Sequence, residues 1–384
     1  MAQKIRNILL LLDTSTFYGR QIARGVAWYS EGHTPMAFYI HPAMGDEALQ
    51  GLRNWRVDGI IGRLRQGQLP TAVGTGQLPA VTTTGHNPAE NLPRITLDDE
   101  AIGRMVAEHF LQRGFRNFGF CGTYGMGFSQ MRQKGFAARL AEDDYPCDNY
   151  QPLANAVGDS YFQDEQEHIV EWIRSLPHPA GVMAADDSMS WKISQACRTS
   201  QIRMPEQIAL VGVNNDDMLC RLASPPTSSV ALPLERLGYL AGQMLDTLLQ
   251  GEQPDPPVQA LPPIGVVTRR SSDVVAVEDS DISTAMRYIR DHLDENIQVD
   301  DIAAAAAVSR RSLQRKFPQV VGHTLQKEIR QVRISKAKNL LAQTDLPLYQ
   351  IASACGFRYP EHLSRIFKQV TGATPTDYRR KYHV

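Results

Sequence analysis

Between Arg310 and Lys316 the chain places four cationic side chains in seven positions, Arg310, Arg311, Arg315 and Lys316, with Gln314 among them. Leu313 and Phe317 run through the same stretch as an apolar i, i+4 pair. Ser309 is a residue type that caps helix N-termini, so a helix is expected from Arg310. At about 100° per residue, burying Leu313 and Phe317 turns Arg311, Gln314 and Arg315 outward. A guanidinium can donate two parallel hydrogen bonds to guanine O6 and N7, and a carboxamide can pair with adenine N6 and N7. The stretch therefore has the chemistry of a helix that reads base edges. Arg310 and Lys316 flank the buried face, where phosphate contacts would fall. An ordinary solvated helix would show the same composition, so the stretch alone does not decide.

The pattern recurs in DLPLYQIASACGFRYPEHLSRIFKQVTG. A short helix reaches a turn at Gly356, and a second helix carries the apolar pair Leu363 and Phe367. Pro360 suits its first turn, and Arg358, Glu361, His362 and Arg365 are its polar candidates. HTLQKEIRQVRISKAKNLLAQT lies between the two units as one continuous helical pattern. A helix of about 18 residues spans about 27 Å, close to the roughly 34 Å between successive major-groove faces. A chance surface helix does not predict two such units at that separation. Before the first unit, ISTAMRYIRDHLDEN is amphipathic, and VDDIAAAAAVS offers Asp300 as an N-cap. Pro318 stands inside the first recognition helix, where a proline can remove a turn.

The rest of the chain positions this basic end. Of 384 residues, 42% are apolar and 21% charged, the balance of an ordinary globular protein. No apolar run approaches the roughly 20 residues that span a bilayer, and no signal-peptide pattern is read. The five cysteines are scattered without Cys-x-x-Cys, which fits reduced thiols better than disulfides or a metal centre. The net charge of −1 conceals a split. From Asp281 onward there are 17 Lys and Arg against 10 Asp and Glu, whereas the first 280 residues hold 23 against 31. Only the C-terminal part is suited to a polyanion.

Over the first 270 residues, short apolar runs alternate with amphipathic stretches. IRNILLLL, MAFYI, DGIIG, PAVTTT, RNFGFCG, AGVMAA and QIALVGV read as strands, and GRQIARGVAWYS, DDEAIGRMVAEHFLQRG and SMSWKISQACRTS read as helices. That order implies parallel sheets covered by helices, two sheets rather than one, with ligand at the carboxyl ends of strands in a crevice between lobes. Asp13 and Tyr18 follow the first strand and are ligand candidates by position; Asp13 could equally stabilise a turn. The proline-rich QGEQPDPPVQALPPIG is expected to end the alternation.

IAAAAAVSRRSLQRKF, RISKAKNLL, IASACGF and IFKQVTGATPTDYRR resemble the AraC-family DNA-binding domain. ITLDDEAIGRMVAEHFLQRGFRNFGF, MRQKGF, MAADDSM, IALVGVNN and PPTSSV resemble, in order, the periplasmic-binding-protein-like sensor of LacI-type regulators. The resemblance implies an α/β two-lobed sensor over residues 1–270, a linker over 271–281, and an all-α domain with two helix-turn-helix motifs over 282–384. It implies Arg132 as the ligand-gripping arginine, with Asp186 or Asp187, Asn214 and Asp98 beside it; Asp98 could instead cap the helix that follows. Asn214 stands where the family often has Asp. The function implied is a DNA-binding transcription regulator, an activator of sugar catabolism, whose effector is a small sugar, xylose or another pentose. The partners implied are double-stranded DNA, a second copy of the chain and RNA polymerase, in the cytoplasm at the nucleoid, with no membrane, cofactor or metal. A sugar-binding enzyme or a binding module without gene control is the rival reading. Against an enzyme, there is no P-loop, G-x-S-x-G, H-E-x-x-H or strand-borne G-x-G-x-x-G.

Overall fold

The computed structural model describes residues 5–42, 56–65, 69–85, 92–150, 161–274, 279–295 and 297–382. They form two compact units, and the chain enters each more than once. The first is built from the chain up to Asp98 and from Pro233–Pro263; the second holds Asp99–Leu232 and Ile264–Arg380.

In the first unit the apolar run RNILLL becomes β1 (Arg6–Leu11), with its last four residues fully covered. It is flanked by β2 (Met36–Ile40) and β3 (Gly59–Gly62), followed outward by β4 (Ala80–Thr82), β5 (Arg94–Leu97) and β11 (Val258–Leu261). The order is β11-β5-β4-β3-β1-β2 and every pairing is parallel. Helices α1 (Phe17–Gly32) and α8 (Leu234–Leu249) pack together in this unit, and α2 (Thr71–Gly74) is a single turn. Strand β11 lies inside the proline-rich segment that the sequence marks as the end of the alternation. Pro257 and Pro262 bracket it, and a short edge strand tolerates flanking prolines because one of its sides donates to no ladder.

The second unit holds β6 (Asn117–Cys121), β7 (Asp148–Asn149), β8 (Ala180–Ala184), β9 (Ile208–Asn214), β10 (Ser228–Ala231) and β12 (Gly265–Val267). Their order is β12-β10-β9-β8-β6-β7, parallel except for β12, which runs antiparallel to β10. The helices are α3 (Asp99–Leu111), α4 (Gly127–Ala141), α5 (Tyr161–Ser175), α6 (Asp187–Thr199) and α7 (Asp217–Leu222). Helices α3 and α4 meet backbone to backbone. A Cβ on Gly103 would lie 2.0 Å from the Arg132 carbonyl oxygen, and one on Gly135 would lie 2.0 Å from that of Glu100. That approach fixes the register that sets Arg132 in place.

Seven helices complete this unit: α9 (Ser280–Asp291), α10 (Val299–Ala305), α11 (Arg310–Val321), α12 (Leu325–Gln343), α13 (Leu348–Ala354), α14 (Pro360–Thr371) and α15 (Pro375–Tyr382). Ile282, Met286, Ile289, Ile302, Leu313, Phe317 and Leu325 form one core among them. Helix α10 is capped by Gln298, whose N–H donates to Asp301 at 2.9 Å, so Asp300 stands inside the helix and not at its cap. The helices are tied to β12 and its ends: Asn339 donates to the Val266 carbonyl at 3.4 Å, and the Tyr378 hydroxyl donates to that of Ile264 at 3.1 Å. The linker expected at 271–281 lies partly outside the described residues, at 275–278.

Candidate functional site

Helix α11 starts where its cap residue dictates: the Ser309 hydroxyl accepts from the Ser312 N–H at 3.2 Å. Leu313 and Phe317 are fully buried. Arg311, Gln314 and Arg315 are exposed, and within the described residues no hydrogen bond or ion pair engages them. The flanking cations differ. Arg310 pairs with Asp300 at 2.9 Å, and Lys316 pairs with Asp279 at 3.1 Å and Asp281 at 2.9 Å. Lys316 thus fastens α11 to the N-terminus of α9, where Asp279 also caps the helix. Pro318 does not shorten α11, which continues to Val321 and ends at Gly322 with φ +82. The Gly322 N–H donates to the Pro318 carbonyl at 3.0 Å.

The second unit repeats the plan. Pro360 is the first residue of α14, Leu363 and Phe367 are fully buried, and Glu361, His362 and Arg365 are exposed. His362 meets the Phe357 ring edge-on at 5.6 Å, and Arg358 stacks over the exposed Tyr359 at 5.3 Å. Helix α12, 19 residues long, joins the two units. Its Arg333 donates to the Leu293 carbonyl at 3.3 Å and to that of Glu295 at 2.6 Å. Gly356, at φ +70, sits so close to the Leu293 carbonyl that a Cβ there would lie 2.3 Å from the oxygen. The spacing between the outward faces is therefore held by packing and not by α12 alone.

The sequence-derived ligand residues fall in both units. In the first, Asp13 accepts from the Ser15 N–H at 2.9 Å and hydroxyl at 2.6 Å, an exposed turn. Tyr18 lies in the first turn of α1, and the Asp98 N–H donates to the Leu261 carbonyl at 2.9 Å.

In the second unit Arg132, Asp186, Asp187 and Asn214 converge on the carboxyl ends of β8 and β9. Arg132 is 3% exposed; its Nε donates to Asp99 at 2.8 Å and its Nη1 to the Ala185 carbonyl at 2.6 Å. The guanidinium stacks over Phe128 at 4.8 Å. Asp186 caps α6, accepting from the Met189 N–H at 2.8 Å. Both oxygens of Asp187 are taken internally, one by the Ser229 hydroxyl at 2.6 Å and the other by the Asp216 N–H at 2.7 Å. Burial pushes its carboxyl up to about 7, although both hydrogen bonds favour the ionised form. Asn214 adopts φ +113, and its side-chain oxygen is buried without a hydrogen-bond partner among the described residues. A non-glycine residue held there is strained, and strain and an unpaired buried polar atom are features that functional sites concentrate.

A cavity of about 330 Å³ opens beside β6 and β7, lined by Phe120, Thr123, Tyr124, Gln130, Gln133, Asn149 and Tyr150 among others. The Thr123 hydroxyl is likewise buried without a partner among the described residues. Aromatic faces and neutral amides without a charged side chain suit a polyol. The sequence does not single out these residues, because Thr123 and Tyr124 sit in a loop after β6 and Asn149 and Tyr150 at a strand two residues long. Among the described residues no helix is long and apolar enough to cross a bilayer, and no cluster of His, Cys, Asp or Glu could hold a metal.

Residues 107–272 match the periplasmic binding protein-like domain family, and residues 302–381 match the helix-turn-helix domain family. The xylose operon regulatory protein of Escherichia coli (strain K12) is 29% identical over 389 residues, covering 99% of this chain and 98% of that protein. The regulatory protein SoxS of Salmonella typhimurium (strain LT2) is 34% identical over 100 residues, 26% of this chain and 94% of SoxS. The solved structure of the xylose-binding transcription activator XylR matches over 100% of both chains, with a TM-score of 0.62 and 29% identity.

Proposed function

We propose that this chain, which joins a periplasmic-binding-protein-like domain to a helix-turn-helix domain and is similar over its full length to a xylose operon regulatory protein, is a sugar-controlled transcription activator of a catabolic operon, with D-xylose or a related pentose as effector. The observation that carries the DNA-reading half is the pair of outward faces, Arg311, Gln314 and Arg315 on α11 and Arg365 on α14, exposed and held at a fixed spacing by α12 together with the packing of Arg333 and Gly356 on the Leu293 carbonyl. Arg310 and Arg358 are suited to phosphates, with Glu361 and His362 beside Arg365. The sensor reaches to about residue 270 and the reader starts near 282. Pentose as effector is supported by the full-length likeness to a xylose operon regulator, by the neutral cavity at β6 and β7, and by the unfilled acceptor on Asn214. Arg132 and Asn214 are the proposed ligand contacts of the second unit, with Asp186 and Asp187 bracing the strand ends behind them. The protein works in the cytoplasm as a dimer that engages RNA polymerase and catalyses nothing.

A ligand that binds only the native state raises its stability by about 2.7 kcal/mol at 100 times its Kd. Thermal unfolding with D-xylose, L-arabinose, D-ribose, D-glucose and sugar alcohols tests the reading. A rise in Tm with one pentose supports it, and no shift with any sugar at millimolar concentration contradicts it.

A further inference from the structure

The segment that leaves β12 is anchored at both ends. At its start Arg269 donates to the Asn215 side-chain oxygen at 2.8 Å and to the Thr227 carbonyl at 3.2 Å. Asn214 and Asn215 both stand at positive φ at the end of β9, so this arginine grips a strained loop beside the proposed ligand contact. The Asn215 N–H donates to the Ser229 hydroxyl, the same hydroxyl that donates to Asp187.

Four residues on, the segment meets the helices. The Ser228 hydroxyl donates to the Arg269 carbonyl at 3.0 Å and accepts from the Arg269 N–H at 2.8 Å. It also accepts from Ser272 at 2.7 Å, so the single hydroxyl proton of Ser272 is committed. His109 Nε2, at 2.9 Å from the Ser272 oxygen, must then be the donor, which places a proton on Nε2. Burial, reinforced by the Arg113 and Arg290 charges, pushes the His109 pKa well down and favours the neutral ring. Arg113 Nε donates to the Ser272 carbonyl at 3.1 Å. Asp273 pairs at 3.4 Å with Arg290 of α9, whose side chain is only 9% exposed.

We infer that Arg269–Asp273 is a strap that couples the Asn214 end of β9 to α9, the first helix of the DNA-reading domain, with Arg269 and Asp273 as its anchors. Closely packed, hydrogen-bonded elements switch between arrangements and do not deform smoothly. A shift of Asn215 on ligand binding therefore moves Arg269, and the four residues that follow carry the shift to the Asp273–Arg290 pair. The ties from Asn339 and Tyr378 to Val266 and Ile264 lie before the strap and hold α12 and α15, leaving α9 as the element that the strap biases. This inference rests on the sugar-sensor reading above.

The test uses the full chain, D-xylose by calorimetry, and the DNA duplex that the wild type selects from a random library, by anisotropy. In the wild type D-xylose is expected to change DNA affinity by a factor within roughly 5–150. Arg269→Lys and Asp273→Asn should keep the D-xylose Kd within about threefold while the DNA response shrinks below about twofold. The double variant should lose no more than either single one, since both act on one strap. Asp273→Asn alters an exposed, isosteric position and keeps the test valid where Arg269→Lys fails to fold. A responding wild type with fully responding variants overturns the inference alone. A wild type indifferent to D-xylose and to every other sugar of the thermal series overturns the sugar reading and the inference with it.

Discussion

Burial raises the Asp187 carboxyl to about 7, above the ordinary carboxylate range, so the native state holds its proton at pH values where the unfolded chain has released it. Native stability from this group is greatest below about pH 4 and falls as pH rises toward 7, where it levels off. Asp187→Asn should remove that slope: denaturant unfolding at pH 5 and pH 8 is expected to show the wild type losing stability relative to the variant at the higher pH. The sequence placed Asp187 at a strand end but could not show that Ser229, 42 residues away, takes one of its oxygens. The motif singled out Arg132 but could not show its bond to Asp99. At the other end of the chain the apolar pairs gave the outward faces of α11 and α14 directly, because a helix leaves little freedom once its buried face is known. Arg315→Ala should cost about 1–3 kcal/mol at the selected site and relax preference at one base pair. Arg310→Ala should weaken all sequences alike and reduce the salt slope by about 1. Competition binding with single-base variants of the site separates the two. Lys316, engaged by Asp279 and Asp281, belongs to the packing of α9 on α11.

Pro318 is the element that the sequence read least well. Proline lacks the N–H that would bond to Gln314 and crowds that carbonyl, yet α11 runs past it to Val321. Phe317 and Leu313, buried in the core with Ile302 and Leu325, hold the turn where propensity opposes it. Pro318→Ala should therefore stabilise the chain, by up to about 3 kcal/mol, without changing base preference; thermal unfolding and competition binding check both halves. Strands β1 to β4, β6, β8 and β9 were legible as apolar runs because parallel strands are covered on both faces, whereas β5, β7 and β10, of two to four residues with polar side chains among them, were not. Strand β11 was not, since its four residues carry only weak alternation and sit between prolines. Strand β12 escaped for the same reason of length, three residues. The long α12 was plain from its unbroken helical pattern; its cap, the Thr324 hydroxyl accepting from the Lys327 N–H, is a finding of the structure.

At the scale of the molecule, composition showed an acidic part joined to a basic part, and the structure adds that the basic helices share a compact unit with the second sheet. Contacts at β12 are invisible to sequence reasoning, since Asn339 and Tyr378 meet residues 73 and 114 positions away. They give the sensor a physical hold on the reader, which a chain of independent domains would lack. By linkage, a sugar that changes DNA affinity must itself bind more tightly or more weakly by the same factor when DNA is present. The most direct measurement is anisotropy of the selected duplex with the full chain, across a salt series, with and without D-xylose. The expected result is steep loss of affinity with salt, as phosphate contacts release counterions, and a sugar-dependent shift of roughly 5–150-fold at each salt concentration. Salt-insensitive binding, or curves that superimpose with and without sugar, would contradict the account.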